Sequence, residues 1–207
     1  GHLYVKNSAN DGQIIFELDN GAGSVIPYLI LDGSNAGFTT FPDNTHLAIG
    51  TDRDFRMSFD GTNATLAHQT GDLYFRNFAN DKDIVFQSDD GSGGIATYLT
   101  LDGGYSTPQV IVPDNVSLVV GSGLDFNIIH NGSNTALTNN TGNLTITNNT
   151  DDGDIIFQSD PGDGGNPVAY FTLDGGITKT TFSRDTKHLD SKKALFGDQD
   201  DLQILHD

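Results

Sequence analysis

The sequence predicts an all-β protein built from internal repeats, and three observations carry this prediction. Asp, Asn and Gly make up about a third of the 207 residues, and these residue types close turns and weaken helix interiors. Apolar and polar residues alternate along short segments. The same motifs return three times in the same order. Together these observations exclude a mostly helical fold.

The repeat has a period of 70 to 72 residues. Segment 1–7, for example, returns at 71–77 and at 142–148. Five motifs recur in one order, which chance similarity does not produce. The predicted domains are repeat 1 at 1–70, repeat 2 at 71–141 and an incomplete repeat 3 at 142–207, with about five additional residues at 190–194.

Each repeat is predicted to contain six or seven short strands. Apolar residues spaced by two are typical of half-buried strands; in repeat 1 they are Leu3 and Val5, then Ile14, Phe16 and Leu18, then Leu29 and Leu31, then Phe55, Met57 and Phe59. Ten Asp-Gly or Asn-Gly pairs, which favour tight hairpin turns, separate such segments; they begin at Asp11, Asn20, Asp32, Asp60, Asp90, Asp102, Asn131, Asp152, Asp163 and Asp174. Only 187–195 is a candidate for one or two helical turns.

Such a repeat cannot bury its own apolar residues well, because each strand carries only a narrow apolar stripe and leaves open edges. Copies can stack along an axis as a solenoid, or identical chains can wrap around a shared axis and cover one another. The pattern starts and stops in mid-repeat, at Gly1 and Asp207, which favours the second arrangement. We therefore expect an elongated, fibrous protein, an intertwined homotrimeric β-rod.

Charge and composition exclude several classes of partner. The net charge is −18, and no Lys or Arg occurs from Asp83 to Thr178, whereas nucleic-acid binding and anionic membranes require basic surfaces. No apolar run approaches the roughly 20 residues of a membrane span. The absence of cysteine excludes disulfides and thiolate metal sites.

Gly-rich acidic turns are candidate calcium sites, and calcium is the only cofactor that the sequence suggests. Calcium takes six to eight hard oxygen ligands, and the strongest candidates here are Asp89, Asp90, Asp160 and Asp163. The turns lack the ligand spacing of an EF-hand loop or a calcium β-roll. The alternative is that they are exposed hairpin ends.

Two histidines are candidate axial metal ligands. His130 and His206 occupy the repeat position of Phe59, on the same side of the strand as Ile128 and Ile204. If three chains met there, three imidazoles would converge on an axis. The alternative is a histidine at a strand end that is hydrogen-bonded to a turn.

No catalytic set is predicted, so we expect a protein that is not an enzyme. Asp125, His130 and Ser133 lie close in sequence, but a strand places neighbours on opposite faces. The first repeat also lacks this combination, with Phe59 and Thr62 at the last two positions.

The third repeat resembles a known family. Residues 195–207 are similar to the FGD…DLQI-HDG element of tail-fibre and other virion structural proteins predicted for marine phages, of the cyanophage and pelagiphage type. Segments 154–160 and 180–189 resemble the elements that precede it there. The resemblance implies a fibrous, usually homotrimeric component of a virion appendage, outside the host cell. Its implied partners are identical chains, other virion proteins and a host surface glycan or protein contacted through a distal tip.

Three functions follow as hypotheses. The favoured one is a structural shaft segment of a phage tail fibre or virion appendage that presents a receptor-binding tip to the host. The second is an extracellular filament or surface adhesin subunit assembled by β-strand addition. The third is a polysaccharide-degrading spike, which requires a clustered acidic groove between chains.

Overall fold

The computed structural model describes residues 1–34 and 37–205, and this part of the chain contains only strands, turns and loops. It divides into two compact units, Gly1–Ile111 and Val112–Asp207. The all-β prediction is therefore confirmed.

The described residues of the first unit form nine strands: β1 (Gln13–Asp19), β2 (Val25–Asp32), β3 (Phe38–Thr40), β4 (His46–Ile49), β5 (Phe55–Phe59), β6 (Ala64–His68), β7 (Ile84–Asp89), β8 (Ile95–Asp102) and β9 (Gln109–Ile111). The second holds the other eight described strands: β10 (Leu118–Val120), β11 (Phe126–His130), β12 (Thr135–Asn139), β13 (Ile155–Ser159), β14 (Val168–Asp174), β15 (Lys179–Phe182), β16 (Lys193–Phe196) and β17 (Leu202–Leu205).

Consecutive strands form small antiparallel sheets of two alternating kinds. One kind has a β-bulge between its first two strands, and we call these the bulged sheets: β1-β2-β3, β7-β8-β9 and β13-β14-β15. The other kind has none, and we call these the plain sheets: β4-β5-β6, β10-β11-β12 and the two-stranded β16-β17. The two kinds alternate along the chain.

The bulge occupies the same position in all three bulged sheets. The register shifts after Phe16, Phe86 and Phe157, so that a tyrosine of the second strand has no partner residue across the ladder. A bulge adds one residue to one strand and increases the local twist. The three tyrosines are Tyr28, Tyr98 and Tyr170.

The Asp-Gly and Asn-Gly pairs lie in turns. Eight of the ten join antiparallel neighbours, and the pairs at Asp11 and Asp152 lie in the turns before β1 and β13. Gly61 and Gly132, in the β5–β6 and β11–β12 loops, have positive φ angles of 93° and 87°. Glycine adopts this left-handed backbone without the penalty that a Cβ brings.

Two predictions about local structure are wrong. Segment 187–195 forms no helix: a turn at 190–191 leads into β16. The strand predicted at Leu3 and Val5 is absent, as are its counterparts at 72–76 and 143–147. These segments alternate as strands do, but no backbone hydrogen bond joins any of them to another part of the described chain. Alternation alone does not make a strand when no edge pairs with it.

The additional residues of repeat 3 lie earlier than the sequence suggested. Turn 189–192 carries the same closing backbone hydrogen bond as turn 42–45 of repeat 1. Strand β15 likewise pairs with β14 as β3 pairs with β2. The residues without a counterpart are therefore 183–188, between these two features, instead of 190–194.

The described chain has no buried hydrophobic residue. Among the described residues of each unit, the backbones of strands approach closely only where the strands are hydrogen-bonded neighbours, and no hydrophobic side chain is buried between two sheets. Thr45 is the one buried residue of the described ranges, and its hydroxyl donates to the carbonyl of Pro42. The hydrophobic layer that supports most domains is thus missing from the described part of this chain.

Candidate functional site: uncovered apolar faces and acidic turns

Each bulged sheet has an apolar face that nothing in the described chain covers. Matched cross-strand pairs build this face: Ile14–Leu31 and Phe16–Leu29, Ile84–Leu101 and Phe86–Leu99, Ile155–Leu173 and Phe157–Phe171. In the last pair the rings stack with centroids 4.3 Å apart. Even so, Phe16, Phe86 and Phe157 remain 50%, 46% and 40% exposed.

The plain sheets repeat this arrangement. Apolar residues form rows across the strands: Leu47–Met57–Leu66, Leu118–Ile128–Leu137 and Ala194–Ile204. Met57 and Ile128, in the middle of the first two rows, and Ile204, in the two-residue row, are all exposed. Soluble monomers rarely expose contiguous apolar patches of more than a few hundred Å². Every sheet therefore carries a candidate contact surface.

The total surface leads to the same conclusion. The chain exposes 16806 Å², while a compact monomer of this mass exposes about 9,300 Å². The excess is several times the area of about 800 Å² that one partner buries in a standard interface.

In the acidic turns, carboxylates accept hydrogen bonds from their own loops. Asp89 Oδ1 accepts from the amide of Gly91 at 2.7 Å. Asp90 Oδ1 accepts from the amides of Ser92 at 2.7 Å and Gly94 at 3.0 Å. In the third repeat, Asp160 and Asp163 accept from Gly162 and Gly165.

The matching turn of repeat 1 shows what these bonds contribute. Asn20 Oδ1 accepts from Ala22 and Ser24, as Asp90 does from the equivalent residues of repeat 2. A neutral amide can thus close the same loop. The amides of Ser92 and Gly94 stabilise the charged form of Asp90 and lower the pKa of its carboxyl below 3.8.

The described residues contain no group of three or more His, Cys, Asp or Glu side chains that could hold a metal ion. The candidate calcium ligands lie in two separate loops, β7–β8 and β13–β14, and one oxygen of each bonds within its own loop. Calcium binding by these turns stays a prediction.

His130 lies at the end of β11 and is exposed. Its Nδ1 is 3.0 Å from the Oγ1 of Thr135, the residue directly opposite on β12. This contact resembles the alternative given for His130, a histidine at a strand end that is hydrogen-bonded to a turn. The difference is that its partner, Thr135, is a strand residue. His206 lies outside the described residues, so the axial arrangement stays a prediction.

Asp125, His130 and Ser133 are not hydrogen-bonded to one another. Asp125 Oδ1 accepts from the hydroxyl of Thr141 at 3.0 Å, His130 bonds Thr135, and the amide of Ser133 donates to Asn131 at 3.0 Å. The three residues therefore have separate partners instead of forming a relay.

An asparagine in each repeat has a structural role that sequence reasoning missed. The Nδ2 atoms of Asn7, Asn77 and Asn148 donate to the carbonyl six residues later, at 2.9, 3.0 and 2.9 Å. Each Oδ1 accepts the amide two residues on. Because an asparagine recurs at this position in all three repeats, the sequence could have indicated this role.

Beside these asparagines lies an open cleft that recurs in each repeat, with volumes of about 240, 360 and 390 Å³. A glycine lines each cleft: Gly33, Gly103 and Gly175. A Cβ at these positions would lie only 2.5 to 2.7 Å from a backbone oxygen, so the strand-end turn requires glycine. The lining that the three clefts share comprises one asparagine, one isoleucine, one leucine, one aspartate and this glycine.

Comparisons with protein families, characterised proteins and solved structures find no match for this chain. No helix among residues 1–34 and 37–205 is long and apolar enough to cross a membrane.

Proposed function

We propose that this chain is a structural shaft segment of a phage tail fibre or virion appendage, and that it holds a receptor-binding tip away from the particle. Three identical chains place their apolar faces against one another. The function is mechanical: the shaft transmits load, and several tips on one particle raise the effective concentration at the host surface.

The observation that carries this proposal is the uncovered apolar face on every sheet. Burying apolar surface contributes roughly 25 cal/mol per Å², and the described residues of each unit include no buried hydrophobic side chain. Because the faces recur with the repeat, a partner that covers all of them must itself repeat with the same period. Another copy of the same chain meets this condition.

The resemblance of residues 195–207 to phage fibre proteins supports the virion location. The net charge of −18 also suits a protein displayed in salty water, where screening over about 8 Å weakens repulsion between neighbouring chains. Since the acidic residues are concentrated in turns, the apolar faces can meet without burying many of them.

Sedimentation analysis of the full chain tests the assembly. We expect a discrete species of about 66 kDa, three times the 22.1 kDa of one chain, that persists on dilution. A compact species of 22.1 kDa would overturn the proposal. An open-ended series of masses would instead favour a filament built by strand addition.

Immunogold labelling tests the location. Antibodies against this chain should label the appendages of the particle between their base and their tip. Label confined to host surface filaments would overturn the virion assignment while leaving the assembly intact. Incubation with host exopolysaccharide should release no new reducing ends, and their release would favour the spike hypothesis.

A further inference from the structure

A segment without secondary structure precedes each of the three bulged sheets. These segments comprise residues 2–6, 72–76 and 143–147. Each has the alternating pattern of a strand, with Leu73 and Phe75 as the apolar pair in repeat 2. In the described chain none of them has a backbone hydrogen bond, and their apolar side chains are 45% to 92% exposed.

We propose that these segments are interchain β-strands: each pairs with the free edge of a bulged sheet in a neighbouring copy of this chain. This inference rests on the proposed homomeric shaft and specifies how its chains join. Strand addition supplies the backbone hydrogen bonds that an extended segment lacks by itself.

The receiving edges are identified by length. The outer strands β1, β7 and β13 have seven, six and five residues, enough for a five-residue partner. The opposite outer strands, β3, β9 and β15, have only three or four. Three segments and three long edges thus recur with the same period. Pairing would add the apolar residues of each segment to the apolar face of the sheet.

Charge favours another copy as the partner. In a chain of net charge −18, none of the three segments carries a net negative charge. Residues 2–6 contain Lys6 and no acidic residue, Arg76 balances Asp72 in the second segment, and residues 143–147 contain no charged side chain. They are among the least acidic stretches of the molecule. An equally acidic copy can therefore accept them with little repulsion.

The recurrence also fixes the arrangement. A filament assembled end to end would use one terminal segment per chain, whereas three equivalent segments imply that copies lie side by side along the repeat. Strand addition here joins chains laterally within one shaft.

Amide hydrogen exchange on the assembled full chain provides the first test. We expect the amides of residues 2–6, 72–76 and 143–147 to exchange at least about a hundredfold slower than unstructured amides. Alternate amides within each segment should be protected, because only every second N–H of an added strand points to its partner. Protection of 2–6 alone would indicate end-to-end addition and overturn the lateral arrangement.

Proline substitution provides the second test. Tyr74→Pro and Phe75→Pro each remove one backbone donor, and one of these two donors must face the partner. Each is compared with the alanine variant at the same position, which loses the same side-chain contacts but keeps its N–H. We expect one proline variant to raise the dissociation constant of the assembly at least about tenfold over its alanine control.

The outcomes separate this inference from the proposed function. An intact 66 kDa species with freely exchanging segments and harmless prolines would overturn strand addition and leave the shaft standing. A 22.1 kDa monomer would overturn both.

Discussion

The last residues of β6 and β12 occupy the same place in two plain sheets but meet different surroundings. His68 lies opposite Phe55, with ring centroids 6.4 Å apart, and Asn139 lies opposite Phe126. Asn139 Nδ2 donates to the carbonyls of Thr141 and Gly142, at 2.9 and 3.1 Å. Both ring nitrogens of His68 are buried and have no hydrogen-bond partner.

The difference shows how far the repeats are interchangeable. The backbone pairing is the same in both sheets, because the ladder depends on register and not on side-chain identity. The side chain at this position must find its own hydrogen bonds, and only the asparagine finds them within the chain. Repeat 1 therefore has an unsatisfied polar group in a sheet with the same fold.

The largest expected effect concerns the two faces of one sheet. Phe86 and the adjacent Val85 are nearly equally exposed in the chain, at 46% and 48%, but point to opposite faces of β7. If the apolar face is an interface, Phe86→Asp buries an unpaired charge, at a cost of about 3–5 kcal/mol per chain. It should dissociate the assembly, as measured by light scattering after size exclusion.

Val85→Asp is the matched control. It introduces the same charge at the same exposure, and it should leave the mass of the assembly unchanged. Equal effects of the two substitutions would contradict the assignment of the apolar face as the contact surface.

The next effect tests the comparison between β6 and β12 directly. His68→Phe removes two unsatisfied nitrogens and should raise the free energy of unfolding by about 1 kcal/mol. Asn139→Leu removes two hydrogen bonds and leaves two carbonyls without that donor. This substitution should lower the free energy of unfolding by about 1–2 kcal/mol. Urea denaturation of both variants measures the two values. Shifts of the same sign would show that the two positions are equivalent after all.

A smaller effect is expected in the acidic turn before β8. Asp90→Asn should be nearly neutral, because Asn20 already makes the same two bonds in repeat 1. Asp90→Ala loses the oxygen that accepts both hydrogen bonds and should destabilise the loop, as the loss of a capping side chain does. Amide exchange of Ser92 and Gly94 reports this change locally. A large loss with Asp90→Asn would instead point to a role for the charge, such as calcium binding.

The smallest effect is the response of this turn to acid. The folded loop lowers the pKa of Asp90 below its ordinary 3.8, so its contribution is present above that value and is lost as pH falls through the lowered pKa. Between pH 5 and pH 2, Gly94 should lose amide protection. Ser24, which depends on the neutral Asn20, should keep it. Parallel loss at both amides would contradict the proposed cause.

Much of the fold could be predicted because the repeat shows the same pattern three times. Alternation located β1, β2 and β5, and the Asp-Gly and Asn-Gly pairs located the turns. The bulge could not be predicted: it depends on which residue of β2 loses its partner, and Tyr28 has no local mark that separates it from a paired strand residue. The segment at 2–6 was misjudged because pairing is a property of two strands and the sequence describes one.

The candidate site was predicted less well. The expectation of a thin apolar stripe led to the uncovered faces, which are the main structural finding. The bonding of Asp90 within its own loop could not be foreseen, because an aspartate in a glycine-rich loop is equally typical of a turn and of a cation ligand. Only the hydrogen bonds seen in the structure show that Asp90 accepts from the amides of its own loop.

The absence of buried hydrophobic residues in the described chain has a consequence for any measurement of heat resistance. If copies of the chain form a hydrophobic core between them, unfolding and dissociation are a single reaction, and its midpoint depends on protein concentration. The melting temperature would then rise with protein concentration and fall on dilution. A newly synthesised chain would also be prone to aggregation until it associated with other copies. The yield of folded protein would therefore depend on the rate of assembly.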